Sequence, residues 1–425
     1  MKRSMFKASI AAVASVAMLA GVAGCGRTND NSAAADDVTT IDSGKATGEL
    51  TVWAMGNEGE LLGDFVKDFE KENPDVKVKV TAIPWASAHD KIQTAIAAGK
   101  VPDVMQMGTT WMADFSNAFQ RVPENFDLSD LSDGPLKTGQ VNNVQLGIPW
   151  YVDSHVLYYR TDIARKAGWD KAPETFDELH QMAKDVKSVE GVKNGMAIGA
   201  GGADSWQGTL WAYFSDGVSL MNDKKEWTLD TPEMKEATEY IDRFFKEGLS
   251  STSSDALPGV GITKFVSGET AIMTGGPTTI SQIATQGGDP DTYATAVIPK
   301  GSKSSTSFVG GADLVVMNES QNKQSAWKFI QWMMQPETQV NWYRKASVLP
   351  SSQKAWESDV LANDEKLKAY GDQLKSTSAP PAVVTWTQVS AAGDRIMEQI
   401  HKGQISVEDG LKRLQSEADS IGIGE

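Results

Sequence analysis

Residues 147–169 read GIPWYVDSHVLYYRTDIARKAGW. Apolar and polar side chains alternate over 154–159, which indicates an extended strand. The pattern becomes helical at Thr161, and Gly168 is a suitable residue to end a short helix. This stretch therefore predicts a strand that turns directly into a helix.

A second helix is predicted just beyond, because Thr175 precedes Glu178 by the three residues of a capping box. The run LYYRTDIARKAGWDKAPETFDEL (157–179) resembles the first interlobe crossover of bacterial extracellular solute-binding proteins of the maltose-binding-protein type. Their pattern there is "lyYnkdl…kaG…P.TwdEl". The resemblance implies an α/β, two-lobed periplasmic-binding-protein-like fold of type II, with mostly parallel sheets flanked by helices and three interlobe crossings.

Length and composition indicate a soluble globular protein of more than one domain. The chain has 425 residues, of which 40% are hydrophobic and 23% charged, and this length exceeds that of an ordinary single core. The formal net charge of −16 disfavours nucleic acid and anionic membrane surfaces as partners. The 13 tryptophans favour a surface or cleft where flat rings meet an amphipathic ligand, such as the face of a sugar.

The N-terminus predicts export and lipidation. Residues 1–24 combine a basic start with a short apolar run, which is typical of a secretory signal peptide. The following Val-Ala-Gly-Cys resembles a lipobox, so Cys25, the single cysteine of the chain, is the expected lipidation site. Residues 25–48 are polar and lack aromatic residues, which predicts a flexible tether. We therefore expect an extracytoplasmic protein that is anchored to the cell membrane by lipid.

The chain after the tether alternates strands and helices. Predicted strands at 50–54, 76–83 and 103–107 are separated by predicted helices at 60–72 and 86–98. This is the rhythm of a parallel sheet with covered faces. Ligands bind beyond the carboxyl ends of such strands, which points to the three loops that follow them.

Those loops contain the candidate ligand-binding residues of the first lobe. FEKENPDVKVKVTAIPW and AIAAGKVPDVMQMGTTW resemble further segments of the same family, whose members hydrogen-bond sugar hydroxyls or present aromatic rings from these loops. The resemblance implies binding roles for Asn57, Glu58, Trp85, Thr110 and Trp111. Two alternatives stay open: Glu58 also suits the first turn of a helix, and Trp111 also suits a core.

The crossings and the second lobe supply the other candidates. Trp150 and Asp153 lie where the family's chain crosses the cleft, whereas Tyr158 and Tyr159 are expected in the core. KFVSGETAIMTGGP and FVGGADLVV resemble the family around a cleft glycine and the second crossing. The additional ligand-binding candidates are Trp206, Gly276, Gly311, Asp313 and Trp386. Packing remains an alternative for Trp386, and a tight turn for Gly276.

The three crossings are expected near Asp153, Gly310 and Pro350, and they divide the folded chain into two discontinuous lobes. The first lobe is predicted to comprise 49–152 and 311–348. The second is predicted to comprise 153–310 and 349–425.

The motifs that would indicate other chemistry are missing from the sequence. It contains no GxSxG, HExxH or GxxxxGK, and its four histidines are scattered, so no catalytic residue, metal ligand or cofactor is predicted. We expect a monomeric receptor that delivers an oligosaccharide to the permease of an ABC importer. The alternative is a secreted glycoside hydrolase with an aromatic-lined cleft. Receptors for peptide, phosphate or metal, and surface adhesins, fit the loops less well.

Overall fold

The computed structural model describes residues 37–253 and 259–424. The predicted signal peptide (1–24), Cys25 and the first part of the predicted tether lie outside the described residues. The tether was expected to continue to residue 48, but residues 37–47 are packed against the folded chain. Ile41 and Ala46 are buried, and their backbone N–H groups donate to Asn125 Oδ1 at 2.8 Å and Asn73 Oδ1 at 2.9 Å. Two buried apolar side chains, with hydrogen bonds to side-chain amides from distant parts of the sequence, hold a segment that composition alone suggested was flexible.

The described residues form thirteen strands and sixteen α-helices. The strands are β1 (Gly48–Met55), β2 (Val76–Ile83), β3 (Val104–Gly108), β4 (Gln140–Val141), β5 (Val144–Gln145), β6 (Gly147–Ser154), β7 (Val156–Arg160), β8 (Asn194–Ala197), β9 (Thr270–Gly275), β10 (Tyr293–Ala296), β11 (Ser307–Val316), β12 (Leu349–Pro350) and β13 (Thr377–Ser378). The helices are α1 (Gly56–Phe65), α2 (Lys67–Glu72), α3 (Trp85–Ala97), α4 (Asp133–Thr138), α5 (Thr161–Lys166), α6 (Phe176–Lys187), α7 (Leu210–Ser215), α8 (Pro232–Lys246), α9 (Val260–Val266), α10 (Thr278–Thr285), α11 (Lys323–Met333), α12 (Pro336–Ala346), α13 (Asp359–Ala362), α14 (Glu365–Gln373), α15 (Trp386–His401) and α16 (Val407–Ile421).

The helix signals read from the sequence are confirmed around the first crossing. Helix α5 begins at Thr161, and its end is followed by Gly168 with a φ of +89°, a backbone conformation that glycine adopts without strain. Helix α6 is capped by Thr175, whose hydroxyl accepts the Glu178 N–H at 3.2 Å. This bond satisfies one of the backbone donors that a helix start leaves unpaired.

The first sheet has the strand order β12-β6-β11-β3-β1-β2, and β13 pairs with β11. Strand β1 runs parallel to β2 and β3, whereas β11 runs antiparallel to both β3 and β6. The sheet is therefore mixed, and the prediction of mostly parallel sheets is corrected. The reason is that β6 and β11 carry the chain between the two sheets in opposite directions, so they must pair antiparallel.

The second sheet has the order β10-β7-β9-β8 and is also mixed, with β8 and β9 parallel and the other pairs antiparallel. One residue, His155, separates β6 of the first sheet from β7 of the second. The chain passes from β10 of the second sheet to β11 of the first. After β12, which pairs with β6 at Leu349 and Pro350, it returns to the second sheet, where α14 contacts β10 and β7. The chain thus crosses between the sheets three times, as expected for the two-lobed fold.

Each sheet has its own core. Leu50, Val52 and Val104 of the first sheet pack with Trp327 and Phe329 of α11. The core of the second sheet is formed by residues of β7, β9 and α6 together with α8 and α7, among them Leu157, Ile272, Leu179, Phe244 and Trp211. Among the described residues, no helix combines the length and the apolar character that a bilayer-spanning segment requires.

Gly311 makes the close pairing of the two crossing strands possible. Its φ of +122° lies in the region that favours glycine. A Cβ at this position would lie 2.3 Å from the backbone oxygen of Tyr151. The close approach of β6 and β11 therefore depends on the absence of a side chain at Gly311.

We predict that Gly311→Ala lowers the free energy of unfolding by about 2 kcal/mol or more, because strain at φ and the clash with a backbone oxygen act together. Urea unfolding followed by tryptophan fluorescence measures this change. Gly208→Ala is the control, since a Cβ there meets nothing within 4 Å, and we expect a change within about 0.5 kcal/mol. Equal effects of the two substitutions would contradict the role given to Gly311.

Candidate functional site

At one edge of the first sheet, the carboxyl ends of β1, β2 and β3 lead into the first turns of α1 and α3 and into a short 3-10 turn at Thr109–Trp111. The Trp85 and Trp111 rings meet at 5.4 Å between centroids with an angle of 60° between their planes. A Cβ on Gly56 would lie 2.7 Å from the Trp85 ring and 3.4 Å from Glu58 Oε2. The structure thus assembles Glu58, Trp85 and Trp111, which the sequence had placed in three separate loops.

Trp85 is the more accessible of the two rings. Its side chain is 36% exposed, although a ring of this size is normally buried more completely in a globular protein. Trp111 is half-buried, and His89 packs its ring edge-on against it at 5.4 Å. His89 is in turn held by Asp114, with 2.8 Å between Nε2 and Oδ2. These contacts hold Trp111 in place, whereas Trp85 remains partly exposed to solvent.

Strand β6 presents Tyr151 and Asp153, and the prediction for Trp150 is corrected. The pairing of β6 with β11 shifts register between Tyr151 and Pro149, so Trp150 has no partner residue in β11. Trp150 is buried and stacks on Trp342 at 5.2 Å with 19° between the planes. Tyr151, which the sequence analysis did not select, lies on the face of Asp153. Strand parity was the signal in the sequence that identifies it.

The Tyr151 hydroxyl is bonded to the interior of the first sheet and lies near Glu58. Gln106 Nε2 donates to the Tyr151 hydroxyl oxygen at 3.2 Å. Burial raises the pKa of Glu58, and its own backbone N–H and the nearby Tyr151 hydroxyl oppose this rise. Burial also raises the pKa of Tyr151, and the charges of Glu58 and Asp153 raise it further. Two carboxylates therefore lie within electrostatic range of one hydroxyl.

Asp153 is desolvated at the first crossing. Within the described residues its Oδ1 is buried and has no hydrogen-bond partner. Burial raises its pKa, and the neighbouring His155 opposes this rise. Burial lowers the pKa of His155 itself, which favours the neutral ring. A buried carboxylate oxygen without a partner is costly, and a ligand with a hydroxyl or amino donor would satisfy it.

Gly276 brings the second sheet to Asp153. A Cβ on Gly276 would lie 2.6 Å from Asp153 Oδ1, so the glycine is needed to accommodate the carboxylate. The backbone here is fixed by two tyrosines, since Tyr370 donates to the Gly275 oxygen at 3.0 Å and contacts the Tyr158 hydroxyl at 2.6 Å. Tyr158 is fully buried, which confirms the prediction that it belongs to the core. We call Glu58, Trp85, Tyr151, Asp153 and Gly276 the acidic site.

Trp206 and Trp386 do not join the acidic site, and their assignment as stacking residues is corrected. Both rings are buried and face each other at 5.8 Å. Trp386 Nε1 donates to Gln207 Oε1 at 3.3 Å, and a Cβ on Gly393 would lie 2.0 Å from the Trp206 ring. These tryptophans pack α15 against the segment that leads into α7, so neither has a face open to a ligand.

The prediction for Asp313 is also corrected, because this residue is buried within the first sheet. It is fully buried beside a register shift in the β6–β11 pairing, and the Thr138 hydroxyl of α4 lies 3.2 Å from its Oδ1. Burial raises the pKa of Asp313 to about 8. The side chain is therefore a neutral acid at pH 7. Gly311, its neighbour in β11, is explained by the close backbone approach described above.

Asn57 and Thr110 remain candidates at the edge of the first sheet. Asn57 is exposed in the first turn of α1, and Thr110 is half-buried between Gly108 and Trp111. Over residues 37–253 and 259–424, no group of three His, Cys, Asp or Glu side chains is arranged to hold a metal ion.

Comparison with known proteins shows what the chain as a whole is similar to. A family model described as "bacterial extracellular solute-binding protein" matches residues 64–369. The sugar-binding protein MalE of Xanthomonas citri has a similar structure, with a TM-score of 0.83 and 28% identity over 88% of this chain and 97% of its own.

Two relatives with names that specify a saccharide match nearly the whole chain. The diacetylchitobiose binding protein DasA of Streptomyces coelicolor is 26% identical, over 98% of this chain and 98% of its own length. The maltooligosaccharide ABC transporter solute-binding lipoprotein of Streptococcus pneumoniae is 25% identical, over 92% of this chain and 90% of its own.

We predict that Asp313→Asn changes how stability depends on pH. The folded protein keeps Asp313 protonated up to about pH 8, whereas the unfolded chain ionises it near pH 4. The folded state thus binds more protons between these values, and the free energy of unfolding falls as pH rises, by at most about 1.4 kcal/mol per pH unit. Asparagine cannot ionise and removes this contribution.

Urea unfolding of both proteins at pH 5 and pH 7.5 tests this prediction. The variant should gain roughly 2–3 kcal/mol relative to the wild type between the two pH values. Parallel pH curves for the two proteins would show that the Asp313 carboxyl is not desolvated as described.

Proposed function

Because the chain belongs to the bacterial extracellular solute-binding protein family, we propose that it is the substrate-binding component of an ABC importer for an oligosaccharide. One observation carries the proposal: the acidic site combines an accessible indole ring with two desolvated carboxylates. Trp85 offers its apolar face, and Glu58 and Asp153 offer acceptor oxygens. A sugar has both complements, since one side of a pyranose ring carries C–H groups and its rim carries hydroxyl donors.

The chemistry of the acidic site suits capture of a ligand. If the contact resembles aromatic pairing, stacking on Trp85 adds about 0.5–1.5 kcal/mol beyond the area it buries. Each hydrogen bond from a hydroxyl to a carboxylate contributes roughly 1.5–3 kcal/mol. One ring and two carboxylates thus supply a large part of the about −8 kcal/mol that micromolar binding requires, and the apolar area that the ligand buries adds to it.

We also propose how the residues divide between the two lobes and how a ligand closes them. The first lobe comprises 49–152 and 311–348, joined by the packed residues 37–47, and the second comprises 153–310 and 349–424. Glu58 and Trp85 belong to the first lobe and Gly276 to the second, with Asp153 at the crossing. A ligand that contacts both lobes binds the closed arrangement more tightly, and this difference in affinity drives a hinge closure about the three crossings.

We also propose how the receptor is located and assembled. Proteins of this family are extracellular, and the pneumococcal relative is named a lipoprotein. Both facts support lipid anchoring through Cys25 at the outer side of the cell membrane. The receptor would act as a monomer that docks on the permease subunits of its importer.

A calorimetric screen of neutral di-, tri- and tetrasaccharides against the purified chain without residues 1–25 tests the function. We expect micromolar or tighter binding of at least one saccharide, which is recovered unchanged after incubation. Release of shorter sugars would instead show a glycoside hydrolase. Absence of binding to every saccharide in the screen would contradict the proposal.

We predict that Trp85→Ala weakens binding of that saccharide roughly tenfold, the equivalent of about 1.4 kcal/mol. The melting temperature should change little, because the ring is more than one-third exposed and is absent from the core. Calorimetry and a thermal melt check the two parts.

Trp169→Ala is the matched control for Trp85→Ala. The Trp169 ring is half-buried against the second sheet, and its Nε1 donates to Asp185 at 3.0 Å. This substitution should leave the affinity unchanged. A loss of affinity in the control, or full affinity in Trp85→Ala, would remove Trp85 from the site.

A further inference from the structure

Two buried polar atoms at the first crossing are unpaired within the described residues. They are Asp153 Oδ1 and His155 Nδ1. The Asp153 oxygen belongs to the acidic site, whereas His155 is the residue that joins β6 to β7. Buried polar atoms are normally hydrogen-bonded, because their removal from water is otherwise uncompensated. The crossing is therefore a place where a ligand can supply the missing bonds.

The Asp153 and His155 side chains project from the same face of the chain. Val152, Ser154 and Val156 are buried. Asp153 and His155, which alternate with them, are half-buried. Since successive side chains of an extended chain point to opposite faces, Asp153 and His155 share one face. Burial is the main influence on both pKa values, and each of the two groups opposes the shift that burial causes in the other.

The neighbours of these two side chains bring no polar side chain to them. Gly310 pairs with Asp153 across β6 and β11, and a Cβ on Gly310 would lie 2.8 Å from the Phe308 ring. The Phe308 ring contacts the His155 ring at 5.7 Å between centroids. On Gly276, a Cβ would lie 2.6 Å from Asp153 Oδ1. An aromatic ring and two residues without side chains thus surround the unpaired atoms.

A single hydroxyl group complements both unpaired atoms. A carboxylate oxygen only accepts hydrogen bonds, whereas a neutral imidazole donates from one ring nitrogen and accepts at the other. Burial lowers the pKa of His155, so its ring is neutral at physiological pH. A hydroxyl can donate its proton to Asp153 Oδ1 and accept from an N–H at His155 Nδ1. An ammonium group only donates and an ether oxygen only accepts, so neither satisfies this pair of atoms.

The spacing of the two side chains also suits one hydroxyl. Two residues of extended chain span about 6.7 Å. A hydroxyl oxygen with hydrogen bonds of about 2.8 Å on both sides bridges about 5.6 Å. Side chains on the same face that lean toward each other bring their polar atoms within this reach.

We propose that His155 is a further ligand-binding residue, which recognises one saccharide hydroxyl together with Asp153. The hydroxyl donates to Asp153 Oδ1 and accepts from His155 Nδ1–H. The inference rests on the proposed function for the nature of the ligand, and it adds a donor to a site that otherwise offers acceptors. Because Asp153 lies in β6 and His155 leads into β7, the shared hydroxyl is held where the chain passes from the first lobe to the second.

The first test measures the affinity of His155 variants for a saccharide that the wild type binds in the calorimetric screen. His155→Phe keeps a ring of similar size without the Nδ1 donor, and its binding should be about tenfold weaker. His155→Asn places an amide at the position of Nδ1 and should bind more tightly than His155→Gln, whose amide lies at the position of Nε2. Wild-type affinity in His155→Phe overturns the proposal, as does a His155→Gln variant that binds at least as tightly as His155→Asn.

His401→Phe is the matched control for His155→Phe. His401 Nε2 is also buried without a partner in the described part of the chain, but its ring stacks on Phe245 at 4.3 Å between centroids, where α15 meets α8. The affinity of this variant should stay within about twofold of the wild type. A comparable loss in both variants would attribute the effect to the packing of a buried ring and overturn the proposal.

The melting temperature of the empty protein separates ligand binding from structural support. An unpaired buried nitrogen weakens the empty fold, so His155→Phe should melt at the same temperature as the wild type or at a higher one. A residue that only supports the crossing predicts weaker binding together with a lower melting temperature. That combination would overturn the proposal.

Nitrogen-15 NMR of histidine-labelled wild-type protein decides the outcome if His155→Phe does not fold, with His155→Asn assigning the signal. The His155 Nδ1 signal should shift on addition of the saccharide and report a protonated nitrogen in the complex, while the His401 signals stay unchanged. An unprotonated Nδ1 in the complex, or no change at saturation, overturns the proposal. Failure of every saccharide in the screen would instead contradict the proposed function and, with it, this assignment.

Discussion

The structure depends on the pairing of two crossing strands, β6 and β11, at the point where they leave one sheet for the other. Two side chains connect them reciprocally: Ser154 Oγ donates to the Phe308 oxygen at 2.8 Å, and Ser307 Oγ donates to the His155 oxygen at 2.7 Å. Both serines are fully buried, so these bonds satisfy backbone oxygens that water cannot reach. With Gly311 admitting a close backbone approach, the crossings form a short, well-defined axis between the two lobes.

The position of the acidic site beside this axis also explains why its carboxylates are desolvated. A polar side chain at the crossing is removed from water by both lobes, and Asp153 keeps one oxygen without a partner as a result. Glu58 reaches the same region from the first sheet and is desolvated with it. Unsatisfied acceptors reduce the stability of the empty protein. A ligand that donates a hydrogen bond to such an oxygen removes this penalty. Desolvated carboxylates and an accessible indole thus follow from one architectural constraint.

The sequence predicted the architecture better than the site. Strand β2 and the capped helix α6 were predicted correctly because alternation and capping are local properties of the chain. The loops with Glu58, Trp85 and Trp111 were also located correctly, since parallel strands bring their carboxyl ends to one edge. Trp206 and Trp386 were misassigned because burial by a distant partner, here each other, leaves no trace in local sequence. Tyr151 was missed, although its spacing of two residues from Asp153 in an extended stretch was a visible signal.

A crystal structure of the protein with a saccharide from the calorimetric screen tests the central claim most directly. The account predicts that a sugar ring lies over the Trp85 indole, that sugar hydroxyls donate to Glu58 and Asp153, and that Gly276 contacts the same ligand from the second lobe. A different location would contradict it. One such place is the cavity of about 810 Å³ lined by residues from Lys137 to Asn143 and from Ser378 to Val383.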